Sequence, residues 1–64
     1  MKRKDLIREI EKQGCILIRH GGKHDIYQNP HTGISQPIPR HQEINERLAR
    51  KILKDLTEKG NYET

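Results

Sequence analysis

The middle of this chain is cut so often by glycine and proline that it cannot hold a helix, and that constrains everything around it. Gly14, Gly21-Gly22, Pro30, Gly33, Pro37 and Pro39 divide the stretch from Cys15 to Arg40 into pieces of strand length. Cys15-Ile16-Leu17-Ile18 carries β-favouring side chains and meets Gly21-Gly22 two residues later, so it reads as a strand ending in a tight turn. Lys23 to Asn29 makes a second strand. Pro30, Thr32 and Gly33 mark another turn, and Ile34 to Ile38 alternates apolar and polar residues as a third, shorter strand. Pro37 has no N–H for a central ladder, which puts that strand at an edge or makes it irregular at the proline.

Helical spacing returns on either side. From Lys2 to Gln13, Leu6, Ile7 and Ile10 recur between charged residues, and Gly14 supplies the stop. Ile44, Leu48, Ile52 and Leu56 repeat every four residues, with Ala49 and Leu53 widening the stripe, and this second helix should run to about Thr57, with Gly60 closing it. The expected order is helix, three-stranded antiparallel meander, helix: an α+β domain in which one sheet face buries both helices. Residues 1–60 are expected to form a single domain and 61–64 a frayed tail. A 64-residue chain buries only roughly 60 % of the surface its unfolded form exposes. With 30 % apolar residues and neither Phe nor Trp, the core must come from Leu and Ile, with Tyr27 turned toward it. A stabilising partner is therefore physically reasonable.

Cys15 is the only cysteine, so no internal disulfide can form, and a lone thiol beside an apolar run behaves as a small core residue. The longest uninterrupted apolar run, Cys15 to Ile18, is far short of the roughly 20 residues that span a bilayer. The expected location is the cytoplasm, with no membrane partner. Thirteen Lys and Arg against nine Asp and Glu give a net charge of +4, which favours a polyanion as partner. Lys2-Arg3-Lys4 opens the first helix, and Arg47, Arg50, Lys51 and Lys54 lie three and four apart along one flank of the second. That flank suits a phosphate backbone and predicts salt-sensitive binding; the alternative is a solvated helix face with Glu46, Asp55 and Glu58 as counter-charges. Tyr27 and Tyr62 are the only aromatics, too few for a binder built on base stacking, so sequence preference should be weak.

Gly14-Cys15-Ile16-Leu17-Ile18-Arg19 followed by Gly22-Lys23-His24-Asp25-Ile26-Tyr27 resembles the HicA toxin family, in which a helix-ending Gly leads through a strand to Gly-Ser-His and an aromatic. Ile38-Pro39-Arg40-His41 is similar to the family's proline-basic-His segment, and the Leu48 to Leu56 helix continues the likeness. The resemblance implies a double-stranded-RNA-binding-like fold, an endoribonuclease acting on messenger RNA, neutralisation by a HicB-type antitoxin, and His24 as the catalytic histidine. Two positions depart from the family pattern. Lys23 stands where Ser is commonest, and Glu46-Arg47-Leu48 replaces a frequent Gly-Thr pair at the start of the last helix, where Asn45 is placed to cap instead.

RNA cleaves when its 2′-OH loses a proton and attacks the adjacent phosphorus in line. The reaction needs a base, charge stabilisation and orientation, but no metal and no cofactor. Histidine, which ordinarily titrates close to neutrality, suits the base. Gly21 and Gly22 let backbone approach a phosphate, with Lys23 or Arg19 holding its charge. His41 is a candidate general acid or phosphate ligand. Candidate RNA-binding residues are thus Gly22, Lys23, Arg19, Arg40 and His41, together with Arg47, Arg50, Lys51 and Lys54. Asp25 looks like an orienting carboxylate, but adjacent strand residues point to opposite faces, so it should miss the His24 ring and be an ordinary surface residue. His20 and His31 sit beside turns. A zinc site from Cys15, His20, His24 and His31 is disfavoured, because one cysteine and a broken helical spacing do not give four placed ligands. The remaining alternatives are a non-catalytic RNA-binding module on the same fold and a protein that only occupies a partner.

Overall fold

The computed structural model describes residues 1–57; Glu58, Gly60 and residues 61–64, Tyr62 among them, lie outside the described residues. The elements are α1 (Arg3–Lys12), β1 (Ile16–His20), β2 (His24–Gln28), β3 (Ser35–Pro39) and α2 (Glu46–Thr57). The strands form one antiparallel sheet in the order β1-β2-β3 with the helices packed on one face, the α+β arrangement of double-stranded-RNA-binding-like domains. Pro37 and Pro39 both fall in β3, an edge strand, where a missing N–H disturbs no central ladder.

Local chemistry sets the element ends. Gly14 adopts φ +92, and the Cys15 and Gly14 N–H groups donate to the carbonyls of Ile10 (3.1 Å) and Glu11 (3.0 Å). This is a Schellman motif, which satisfies the last carbonyls of α1 and turns the chain into β1. The Asn45 side chain accepts from the N–H groups of Arg47 (2.8 Å) and Leu48 (3.2 Å) and caps α2. Lys2 gives α1 no side-chain cap; the Arg3 N–H instead donates to the Gln42 carbonyl at 2.8 Å, tying the start of α1 to the segment before α2. At the opposite end the Asn29 amide donates to the Leu56 carbonyl at 2.6 Å, and the Cys15 thiol lies 3.8 Å from that same oxygen. Both helices therefore start at the end of the sheet where β2 begins and finish at the end where it stops.

The core is Leu6 and Ile10 from α1, Cys15, Tyr27 and Ile38 from the sheet, Ile44, and Ala49, Ile52 and Leu56 from α2. Tyr27 faces inward, as expected. Leu48 does not join them: it is 38 % exposed, and Ala49 is buried in its place. A strict four-residue repeat drifts by about 40° per step around an α-helix, so Ala49, Ile52 and Leu56, spaced three and four, hold the core line better. β1 also differs from a simple core strand. Ile16, Leu17 and Ile18 are each about half exposed, because β1 is the sheet edge that the helices leave uncovered. Leu17 pairs with Tyr27 and Arg19 with Ile26, so Ile18 sits unpaired in a bulge.

Candidate functional site

His24 is the first residue of β2, opposite Pro39 of β3, and its carbonyl accepts from the Gly21 N–H at 2.9 Å to close the turn from β1. A methyl group at Gly21 would stand 2.8 Å from that same carbonyl oxygen, so this turn has no room for a side chain there. At Gly22 nothing lies within 4 Å of such a position. Adjacent strand residues alternate faces. Asp25 and Tyr27 point under the sheet toward the helices, which leaves His24 and Ile26 on the other face, where His24 is exposed. Arg19, paired with Ile26, joins His24 on that open face, and exposed Lys23 precedes it in the turn. Arg40 and exposed His41 follow β3 at the same end.

Asp25 is not an ordinary surface residue. It is 7 % exposed and is the hub of this end of the sheet. Arg3 Nη2 donates to its Oδ2 at 2.7 Å, while Arg40 Nη2 (2.9 Å), Arg40 Nε (3.1 Å) and His20 Nδ1 (2.8 Å) converge on its Oδ1. Arg40 reaches further, donating from Nη1 to the Gly22 carbonyl (3.0 Å) and from Nη2 to the Gly21 carbonyl. Arg3 Nε donates to the Pro39 carbonyl at 2.8 Å. Alternation itself held the signal: a residue two before a core-facing tyrosine shares its face, so Asp25 lies with Tyr27 on the face that the helices cover. The same argument reaches Asn29, two after Tyr27 and equally buried, which spends its amide on the end of α2.

The Arg40 guanidinium holds the Asp25 carboxyl below its ordinary value of 3.8, with His20 acting in the same direction and burial opposing it. A carboxyl whose value is depressed by folding stabilises the fold above its unfolded value, and that contribution is lost as pH falls through the folded one. The melting-temperature gap between the parent and Asp25→Asn is therefore expected to be widest near neutrality and to close on acidification below 3.8. A gap that stays constant between pH 7 and pH 2 would mean that these pairs do not form.

The α2 cations lie on another layer. Arg47 is at the His24 end, Arg50 lies 3.8 Å from Glu46, and Lys51 lies 3.1 Å from Asp55, which also accepts from Gln36 at 3.0 Å. Lys54 is in the last turn, toward the far end. The stripe exists, but only its first member shares an end of the molecule with His24. Sequence reading passed over a groove of about 480 Å³ lined by Lys2, Arg3, Lys4, Arg40, Gln42 and Glu43. It forms because the start of α1 is tied to the segment before α2, a pairing no local pattern announces.

The remaining candidates are dispersed. Cys15 is buried at the far end, with its thiol pushed up by burial, and His31 packs near Gly14, whereas His20 and His24 flank the near-end turn. Among the described residues no group of three or more His, Cys, Asp or Glu is placed to hold a metal ion, and no helix is long and apolar enough to cross a membrane. No curated protein and no solved structure matches the chain. A family model does, over residues 3–57, and it is described as the HicA toxin of bacterial toxin-antitoxin systems. The match runs from the first residue of α1 to the last of α2 and takes in the whole sheet and the His24 turn, so the chain belongs to the HicA toxin family.

Proposed function

We propose that this toxin is a metal-independent endoribonuclease acting on messenger RNA in the cytoplasm, with His24 as general base, and that a HicB-type antitoxin neutralises it. The observation that carries the reading is the placement of His24: exposed, beside a glycine turn, at the end of the sheet where both helices start and where Arg19, Lys23, His41 and Arg47 also lie. Helix N-termini and cations together make that end favourable for phosphate. His24 takes the proton from a ribose 2′-OH, the 2′-oxygen bonds to phosphorus, and the bond from phosphorus to the 5′-oxygen breaks. The products are a 2′,3′-cyclic phosphate and a 5′-hydroxyl, whose proton comes from His41 or from water. Lys23 and Arg19 stabilise the charge on the phosphorane, Gly22 lets the backbone come close, and Arg47, Arg50, Lys51 and Lys54 carry the strand across α2. Ile16, Leu17 and Ile18, half exposed on the strand beside β2, supply apolar area for the antitoxin to cover.

The test is cleavage of a long unstructured RNA and of DNA of the same sequence, in EDTA and at stated salt. The expected result is RNA fragments ending in cyclic phosphate, with the DNA untouched because it lacks the 2′-OH. Loss of cleavage on adding EDTA would overturn the metal-independent mechanism. Intact RNA together with a salt-sensitive mobility shift would make the protein a binding module instead.

A further inference from the structure

Asp25, the buried carboxylate that joins Arg3, His20 and Arg40 at this end of the sheet, has no part in the chemistry above and does not face His24. We propose that it is a positioning residue: from beneath the sheet it holds the Arg40 guanidinium, which clamps the Gly21 and Gly22 carbonyls and so fixes the turn that delivers His24. This rests on the reading of His24 as the base. The geometry is a continuous path. Asp25 Oδ1 accepts from Arg40 Nε at 3.1 Å and Nη2 at 2.9 Å, Arg40 Nη1 donates to the Gly22 carbonyl at 3.0 Å and Nη2 to that of Gly21, and the Gly21 N–H donates to the His24 carbonyl at 2.9 Å. Arg3 Nη2, 2.7 Å from Oδ2, pins the other carboxylate oxygen to α1, so the carboxylate cannot turn away from Arg40 without losing that bond. His20 completes the ring at 2.8 Å from Oδ1.

The clamp also redefines Arg40. A planar guanidinium that directs most of its donors at one carboxylate and two carbonyls, with the His20 ring 3.0 Å from Nη2, is a structural fork, a task its rigid geometry suits and a lysine ammonium does not. Arg40 therefore acts on RNA through the position of His24 rather than through a phosphate of its own. Misplacing a reacting group by about 1 Å costs on the order of 100-fold in rate, so loosening the turn should be read in kcat and not in affinity.

The experiment compares the parent, Asp25→Asn, Arg40→Lys and the double variant, each first shown to be folded by circular dichroism. Two readouts are taken: hydrogen exchange of the Gly21 amide, and kcat and KM for RNA cleavage. The clamp predicts faster Gly21 exchange in every variant, kcat lowered on the order of 10- to 100-fold with KM little changed, and a double variant no worse than the worse single one, because both changes break one path. Arg40→Lys keeps the charge, so it also separates clamping from phosphate binding should Asp25→Asn fail to fold. Unchanged Gly21 exchange and unchanged kcat would overturn the proposal. So would a lower KM in Asp25→Asn, the sign of Arg40 released onto RNA. If the parent itself cuts no RNA, the His24 reading has failed, and Gly21 exchange still decides whether the clamp exists.

Discussion

His24→Gln is expected to lower single-turnover RNA cleavage by about 10²- to 10⁴-fold, the usual contribution of a positioned general base, while changing RNA affinity and stability little. The asymmetry follows from where His24 sits. It is exposed at the start of β2, and what it gives the fold is its carbonyl, which accepts from Gly21, and its place opposite Pro39 in the ladder. Glutamine keeps both backbone roles and a polar side chain of similar reach, but it cannot take up a proton near neutrality. An exposed substitution of this kind alters stability by about 0.5 kcal/mol or less. The measurement is the rate at saturating protein beside the melting temperature and the midpoint of RNA binding. A variant that cuts at the parent rate would remove His24 from the chemistry. One that loses binding together with rate would make it a contact residue, and the base would have to be sought among the other groups at that end, His20 and His41.

What could be read from the sequence divides along physical lines. Gly14, Asn45 and Pro37 act on the chain next to them, as a Schellman glycine, a side-chain cap and an edge-strand proline, and such effects are local enough to be seen without tertiary structure. The expected strands lie within two residues of the observed bounds because glycine and proline punctuate them. Leu48 and β1 were harder. Whether an apolar residue is buried depends on which surface a neighbouring element covers, and the sheet is wide enough to leave Ile16, Leu17 and Ile18 at an uncovered edge. His24 was placed by its setting between a glycine turn and a strand, together with the family likeness. The expectation of a surface Asp25 fails because the alternation that separates it from His24 also joins it to Tyr27 on the covered face of β2. The partners of Asp25 were beyond sequence reading, since Arg3, His20 and Arg40 come from α1, β1 and the segment after β3.

Two isoleucines of identical chemistry give the other large effect. Ile10 is fully buried and its carbonyl anchors the Schellman turn, whereas Ile16 is 50 % exposed on the free edge of the sheet. Ile10→Ala removes three buried carbons from a core of nine side chains and should cost about 2–5 kcal/mol. A domain of this size has roughly 3–10 kcal/mol in all. The variant is thus expected to melt about 10 to 30 °C lower, with a substantial unfolded fraction at 37 °C. Ile16→Ala loses little burial and should stay within about 0.5 kcal/mol of the parent. Thermal denaturation of the three proteins, followed by far-ultraviolet circular dichroism, reads both values. Equal losses would mean that the β1 edge is covered in solution. In that case the chain would associate with itself through the aliphatic strand proposed here for the antitoxin, and the melting temperature of the parent would rise with protein concentration.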